Sequence, residues 1–323
     1  MRIAFLGKGG SGKTTTATLF TKYLISNRRR VLSVDADVNV HFGAALGVSH
    51  SAPSLSDHYR DIYLHLEGKH PALPPSTCIP ECGAIPLTRY STTVSLSEDD
   101  SFLQRFAVKH PDFPWWHLAV GTYHDVGDGG DCFHYKTNAY QLVLHHLQDS
   151  LDDYLIADTT AGIDNLSTSL SIGYDLCVIC VEPTKKSLSV FESFTKLSAS
   201  LPIPYFVVAN KLEDPADLEF IRRHIPSSAP MITIPFRSEL LDQEKSASRT
   251  ITIPVDDYAR SFALIAEAAR QSQQHSRTTR TALLRDFYKR EVESYWNDYH
   301  GTDLTVLLDE TTSHTQQPEQ LCA

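Results

Sequence analysis

The chain has 323 residues, of which 41% are hydrophobic and 21% charged, and it carries a formal net charge of −10 with a pI near 5.8. That length admits one α/β domain with insertions or two smaller domains, so the pattern along the chain must decide. The composition is that of a globular protein, no run of about eighteen apolar residues is present to span a membrane, and an acidic balance argues against nonspecific binding to nucleic acid, whose phosphates need a basic face.

The first predicted strand is Arg2 to Leu6. It begins at once, which leaves no room for a signal or transit peptide and makes the cytoplasm the expected location. Gly7-Lys8-Gly9-Gly10-Ser11-Gly12-Lys13-Thr14 follows directly. It fits the phosphate-loop spacing of Gly, four residues, Gly, Lys, Thr, between a strand and a helix. Glycines let backbone N–H groups turn inward around phosphate oxygens, and the following helix presents its positive end. Gly9, Gly10, Ser11, Gly12, Lys13, Thr14 and Thr15 are therefore the candidate nucleotide-binding residues, with Lys13 reaching the β- and γ-phosphates and the Thr14 hydroxyl able to ligate Mg2+. Arg28, Arg29 and Arg30 form the one compact basic patch, which reads either as cations at a helix end or as a docking site.

A second strand, Val31 to Asp35, runs into Ala36 and Asp37. Residues 51–115 hold eight of the 17 prolines and show little periodicity, so an irregular insertion is expected there. The third strand is Trp116 to Val120. Beyond it, Gly130-Asp131-Cys132-Phe133-His134 offers a thiol and an imidazole two positions apart. Both are good ligands for Zn2+ or Ni2+, although a loop cysteine beside a solvated histidine reads the same way. Cys78 and Cys82 flank Ile79-Pro80-Glu81 and have the spacing of a metal half-site without a visible second half.

Tyr154 to Asp158 is the fourth strand, followed by Thr159-Thr160-Ala161-Gly162-Ile163. Leu176 to Val181 is the fifth; Cys177 and Cys180 fall within it, where a period of two points them to opposite faces, so they are core residues and not a redox pair. Tyr205 to Ala209 ends at Asn210-Lys211, and Met231 to Ile234 ends at Pro235. From Arg277, Leu283, Leu284, Phe287, Tyr288, Val292, Tyr295 and Trp296 recur at helical spacing, which predicts an amphipathic helix over 276–300 that packs on its own domain or a second copy. Residues 310–323, rich in Thr, Gln and Ser, are expected to be disordered.

Short apolar runs alternating with helix-length stretches define the fold class as α/β: a mostly parallel sheet of about seven strands with helices on both faces. One such domain is expected over 1–275. Right-handed crossovers bring the phosphate loop, the Asp35 region and the Asp158 region to one carboxyl edge.

With Lys8 added to the phosphate loop, the sequence resembles the deviant Walker A ATPases, the family of MinD, ParA and the nitrogenase iron protein, which share a second lysine in KGGxGKT. The resemblance implies a homodimer closed by ATP in which Lys8 crosses to the phosphates of the other subunit, as an arginine finger does. It also implies that Asp37 orients the attacking water, that Asp35 lies near the metal, that Asp158 holds Mg2+ through water, and that Gly162 lets a switch loop follow the γ-phosphate. Read alone, each aspartate serves equally well as a helix cap. The same family recognises the base near Asn210, Lys211 and Pro235; a guanine site would carry Asn-Lys-x-Asp, whereas Glu213 stands fourth here, so ATP is the expected nucleotide.

Within that family, Asp35 to Asn39, Thr160 to Asp164 and Val181 to Thr184 are similar to the carbon monoxide dehydrogenase nickel-insertion ATPases. Those enzymes hold one metal ion with a Cys-x-Cys from each subunit. The likeness implies an ATP-dependent maturation factor for a client metalloenzyme, with Cys132 and His134 of two copies forming a Cys2His2 site for Ni2+ or Zn2+. Two rivals stand beside it: a positioning or scaffold ATPase, and a reductase-like member with an iron–sulfur cluster between subunits. No nucleic acid partner or membrane anchor is expected.

Overall fold

A computed structural model of the chain describes residues 1–37, 39–48, 52–68, 71, 85–122, 133–148, 150–163, 169–199, 203–244, 250–252, 254–301 and 303–309. The chain starts on β1 (Arg2–Gly7), turns through the glycine-rich loop into α1 (Lys13–Ser26), and returns on β2 (Arg30–Ala36) to the short α2 (Phe42–Leu46). Next come α3 (Tyr59–Glu67), α4 (Ser101–Phe106), a two-residue β3 (Val108–Lys109) and β4 (Trp115–Ala119). Then α5 (Phe133–His146), β5 (Asp153–Thr159), β6 (Leu176–Val181), α6 (Lys185–Ser198), β7 (Tyr205–Leu212), α7 (Pro215–Arg222), β8 (Met231–Pro235) and α8 (Ser238–Glu244) follow. The last long element is α9 (Ala259–Glu291).

The strands form one eight-stranded sheet in the order β3-β4-β2-β5-β1-β6-β7-β8. Every neighbouring pair is parallel except β3 with β4. Parallel strands are covered on both faces, which is why β6 and the middles of β1 and β5 read as apolar runs and all three strands are buried at every position. One layer packs Phe5, Phe20 and Phe262 against α1; the other packs Leu6, Tyr140, Phe191 and Trp296 against α5 and α6.

Each of the seven expected strands is present, Leu176–Val181 with both ends as expected and the others with ends that differ by at most three residues. The eighth, β3, has no sequence signal of its own. Two residues become a strand only because Val108 and Lys109 meet His117 and Trp116 of β4. In the segment expected to be irregular, α3 buries Tyr59, Ile62, Tyr63 and Leu66, and α4 is capped by Asp100, whose carboxylate accepts from the Leu103 N–H at 2.8 Å. Residues 72–84, with Cys78 and Cys82, lie outside the described residues.

The arginine run follows the end of α1 at Asn27 rather than lying in its last turn. Arg29 pairs with Asp152 at 2.7 Å and Arg30 with Asp153 at 2.6 Å, so two of the three cations serve the join between β2 and β5. The amphipathic C-terminal stretch is the second half of α9, continued by a π-helical turn over Val292–Trp296. Residues 310–323 lie outside the described residues.

Candidate nucleotide site

The phosphate loop leaves the carboxyl end of β1 through Gly7, whose φ of 146° lies outside the range that side chains tolerate. A Cβ there would sit 2.4 Å from the Cys180 carbonyl oxygen of β6 and 2.7 Å from Ser11 Oγ. The loop closes as the Ser11 N–H donates to the Lys8 carbonyl at 3.0 Å and enters α1 at Gly12, with φ 89°. A Cβ on Gly12 would lie 2.1 Å from Asn210 Nδ2. These two close approaches explain why glycine stands at both ends of the loop.

Two side chains from the end of β7 strap the loop in place. Asn210 donates to the Ser11 carbonyl at 2.8 Å and Lys211 donates to the Gly10 carbonyl at 2.6 Å. Lys211 is held at φ 58° beside a register shift between β7 and β8. Pro235 is the register partner of Leu212, and the Phe236 N–H donates to the Leu212 carbonyl at 2.9 Å, which fixes the exposed Phe236 just past β8 against the end of β7. Asp214, one place beyond the position of a guanine-reading carboxylate, is the N-cap of α7 and forms a capping box with Asp217.

Lys13 and Thr14 open α1 underneath the loop. Lys13 is buried, and the Thr14 hydroxyl donates to Asp158 Oδ2 at 2.6 Å while Asp158 Oδ1 is buried with no hydrogen-bond partner among the described residues. A buried orphan carboxylate oxygen beside a threonine hydroxyl is the donor set that a hydrated Mg2+ takes. Asp35 is the register partner of Asp158 across β2 and β5. Its Oδ2 accepts from the Phe42 N–H at 2.8 Å. Burial pushes the Asp35 carboxyl up to about 7 against the pull of backbone N–H groups from Phe42, Asp37 and Gly43. Asp158 is pushed up to about 8, first by burial and then by the charge of Asp35, with the Thr14 hydroxyl opposing.

Asp37 stands just past β2, half-buried, and its Oδ1 accepts from the Asn39 backbone at 3.1 Å and side chain at 3.0 Å. Gly162, with φ 98°, donates its N–H to the Gly7 carbonyl at 3.0 Å, so the loop after β5 rests against the phosphate loop. Lys8 projects to Glu182, donating to Oε1 at 3.0 Å, and Lys211 lies 3.8 Å from the other oxygen of the same carboxylate. Glu182 lies within the Val181 to Thr184 likeness, which by itself assigns it no role at the site. It stands just past the end of β6, level with the loop.

The sheet thus gathers Lys8 to Thr15, Asp35, Asp37, Asp158, Asn210, Lys211 and Pro235 at one edge, with lysines facing carboxylates. Cys132 lies outside the described residues; His134 falls in the first turn of α5 with its side chain outside them. Cys177 and Cys180 are buried core residues of β6, and burial pushes the Cys180 thiol up to about 12.

A sequence profile described as "CobQ/CobB/MinD/ParA nucleotide binding domain" matches residues 3–251. The chain belongs to this family. A member of the CobQ/CobB/MinD/ParA family with this loop is a P-loop ATPase that binds ATP. Over 250 residues the chain is 26% identical to the carbon monoxide dehydrogenase accessory protein CooC of Rhodospirillum rubrum, covering 74% of this chain and 85% of that protein. It is 28% identical over 249 residues to an uncharacterized ATP-binding protein of Methanocaldococcus jannaschii, covering 76% and 88%. Among solved structures, the septum site-determining protein MinD of Pyrococcus horikoshii with Mg-ADP superposes with a TM-score of 0.54 at 16% identity, covering 82% of this chain and 94% of that one. A ParA family ATPase of Chlorobium tepidum gives 0.53 at 16% identity, covering 84% and 96%. These establish the MinD/ParA fold. No helix among the described residues is long and apolar enough to cross a membrane.

Proposed function

We propose that this ATPase is a dimeric switch acting as a maturation factor for a metalloenzyme in the cytoplasm, with hydrolysis timing the release of a metal or of the client. The observation that carries this reading is the similarity to the accessory protein CooC over most of both chains, joined to a phosphate loop that bears Lys8.

In this scheme the loop N–H groups and Lys13 hold the phosphates. Thr14 and Asp158 hold Mg2+, which supplies charge neutralisation at the terminal phosphates. Asp35 supports Asp158 from the next strand, and Asp37 orients the attacking water. The base lies near Asn210, Lys211 and Pro235. On closure, Lys8 leaves Glu182 for the phosphates of the second copy, where a cation stabilises charge that develops in the transition state. Cys132 and His134 of the two copies then meet and hold one Ni2+ or Zn2+.

The test is metal content. Protein purified without added metal and then reconstituted should bind close to one Ni2+ or Zn2+ per dimer with ATP, and Cys132→Ser and His134→Ala should each abolish it. Less than about a tenth of an ion per dimer in every state would overturn the metal reading and leave a positioning ATPase. Iron with visible absorbance would favour the reductase-like alternative.

A further inference from the structure

Helix α9 does not stay on one face of the sheet. Its first turns place Phe262, Ile265 and Ala269 in the α1 layer, whereas Tyr288, and Val292 and Trp296 of the π-helical turn that follows, belong to the α5 layer. Between them Arg280 forms a buried ion pair with Asp175, the residue before β6. Asp175 Oδ2 also accepts from the Arg2 N–H at 2.8 Å at the start of β1. The helix therefore passes beneath the amino ends of β1 and β6, opposite the nucleotide edge.

Asp175 closes a short segment that begins with the 3-10 turn Ser169–Gly173. This segment lies between α5 and α9 and is tied to both. Gly173 packs so closely on α5 that a Cβ would stand 2.3 Å from Leu144 Cδ2. The buried His145 of α5 bonds Tyr288 Oη of α9 through Nδ1 at 2.6 Å and the Ser169 carbonyl through Nε2 at 3.3 Å. Burial keeps this imidazole neutral, lowering it to about 3. A neutral ring has one donor and one acceptor, and a carbonyl only accepts. Nε2–H thus donates to Ser169, and the Tyr288 hydroxyl donates to Nδ1.

Along the chain, residues 164–168 alone separate Ser169 from Ile163 and the Gly162 that touches the phosphate loop. We propose that the Ser169–Asp175 segment transmits the nucleotide state at that loop to the second half of α9, Arg280 to Trp296, through the His145–Tyr288 and Asp175–Arg280 contacts. The inference rests on the nucleotide-switch reading above. It assigns the C-terminal stretch as the element that responds to ATP, with a discrete hydrogen-bonded relay as its linkage. The break in helical repeat at Val292–Trp296 lies where that response would end.

Amide hydrogen exchange on the full chain, with and without Mg2+ and a non-hydrolysable ATP analogue, tests it. Protection at residues 9–15 reports nucleotide binding itself, and a change of at least about threefold in exchange rate over 280–296 is expected alongside it. The measurement is repeated in Lys8→Ala, so that burial between two copies does not produce the signal. Tyr288→Phe keeps the ring and removes the hydroxyl; Arg280→Lys keeps the charge and removes the planar fork. Each should retain the protection at 9–15 and lose most of the response at 280–296. An unchanged 280–296 in the wild type while 9–15 is protected overturns the relay, as does a full response in both variants. Absence of protection at 9–15 overturns the nucleotide reading and the relay with it.

Discussion

Asp35 and Asp158 are direct register partners on β2 and β5, both buried, and the charge of Asp35 disfavours that of Asp158 as Asp37 disfavours that of Asp35. Neighbouring carboxyls in that position hold protons that the unfolded chain has already released at neutral pH. Because the folded values of about 7 and about 8 lie above the ordinary 3.8, the folded state binds more protons across that window, and its stability falls as pH rises. The stabilising contribution is whole below the ordinary value and is lost by about pH 8. Thermal unfolding of the metal-free protein should show a decline of up to about 1.4 kcal/mol per pH unit for each carboxyl. Asp158→Asn should flatten it, and so should Mg2+ with ATP, since a bound cation favours both carboxylates. A profile unchanged by Asp158→Asn would refute the pairing.

Lys8 and Glu182 face each other at 3.0 Å within one chain. If Lys8 serves the second copy, Lys8→Ala should leave ATP affinity within a few fold, abolish ATP-driven dimerisation, and cut turnover by roughly 10³-fold or more, the scale of a cation supplied in trans. Light scattering and steady-state ATPase assays check both. Normal dimerisation and turnover would remove Lys8 from the mechanism.

Gly12 and Asn210 are in such close contact that a methyl group at Gly12 strikes the amide, at a φ of 89° that alanine resists. Gly12→Ala should weaken ATP binding by at least about 100-fold, near 2.7 kcal/mol. Adding Asn210→Ala removes the clash but not the backbone strain, so titration calorimetry should show incomplete recovery. Complete recovery would mean that the backbone is not strained there.

Val40 adopts φ 46° in the turn after Asp37, a left-handed conformation that a β-branched residue rarely takes. Strain of that kind costs about 1–3 kcal/mol, against about 0.5–1 kcal/mol for the added freedom of glycine in the unfolded chain. Val40→Gly should therefore raise stability by about 1 kcal/mol in urea unfolding while slowing hydrolysis, because it loosens the turn that holds Asp37. A destabilised variant would show that the turn is not strained.

The phosphate loop, the strands and the aspartates at their ends were legible because each is a contiguous run whose chemistry is local. A glycine-rich turn closed by Lys13 and Thr14, set between an apolar strand and a helix, has little use except to hold phosphate, and Asp35 and Asp158 inherit their places from strand order alone. The amino acids also settled the α/β class, since buried parallel strands are apolar along most of their length.

Tertiary structure decided what depends on partners far away in the chain. Glu182, part of the Val181 to Thr184 likeness, has no assigned role until folding sets it beside Lys8 and Lys211. Asp175, Arg280 and His145 carry no motif, and Tyr288 reads only as one member of an amphipathic stripe, because a buried ion pair or a single tautomeric hydrogen bond needs only one partner at the right place, and sequence spacing does not constrain that place. The extent of α9 was hidden for the same reason: its two halves face different layers of the sheet, so no single apolar stripe runs through Ala259 to Glu291. Which nitrogen of His145 donates, and which side of the sheet Trp296 covers, are consequences of packing alone.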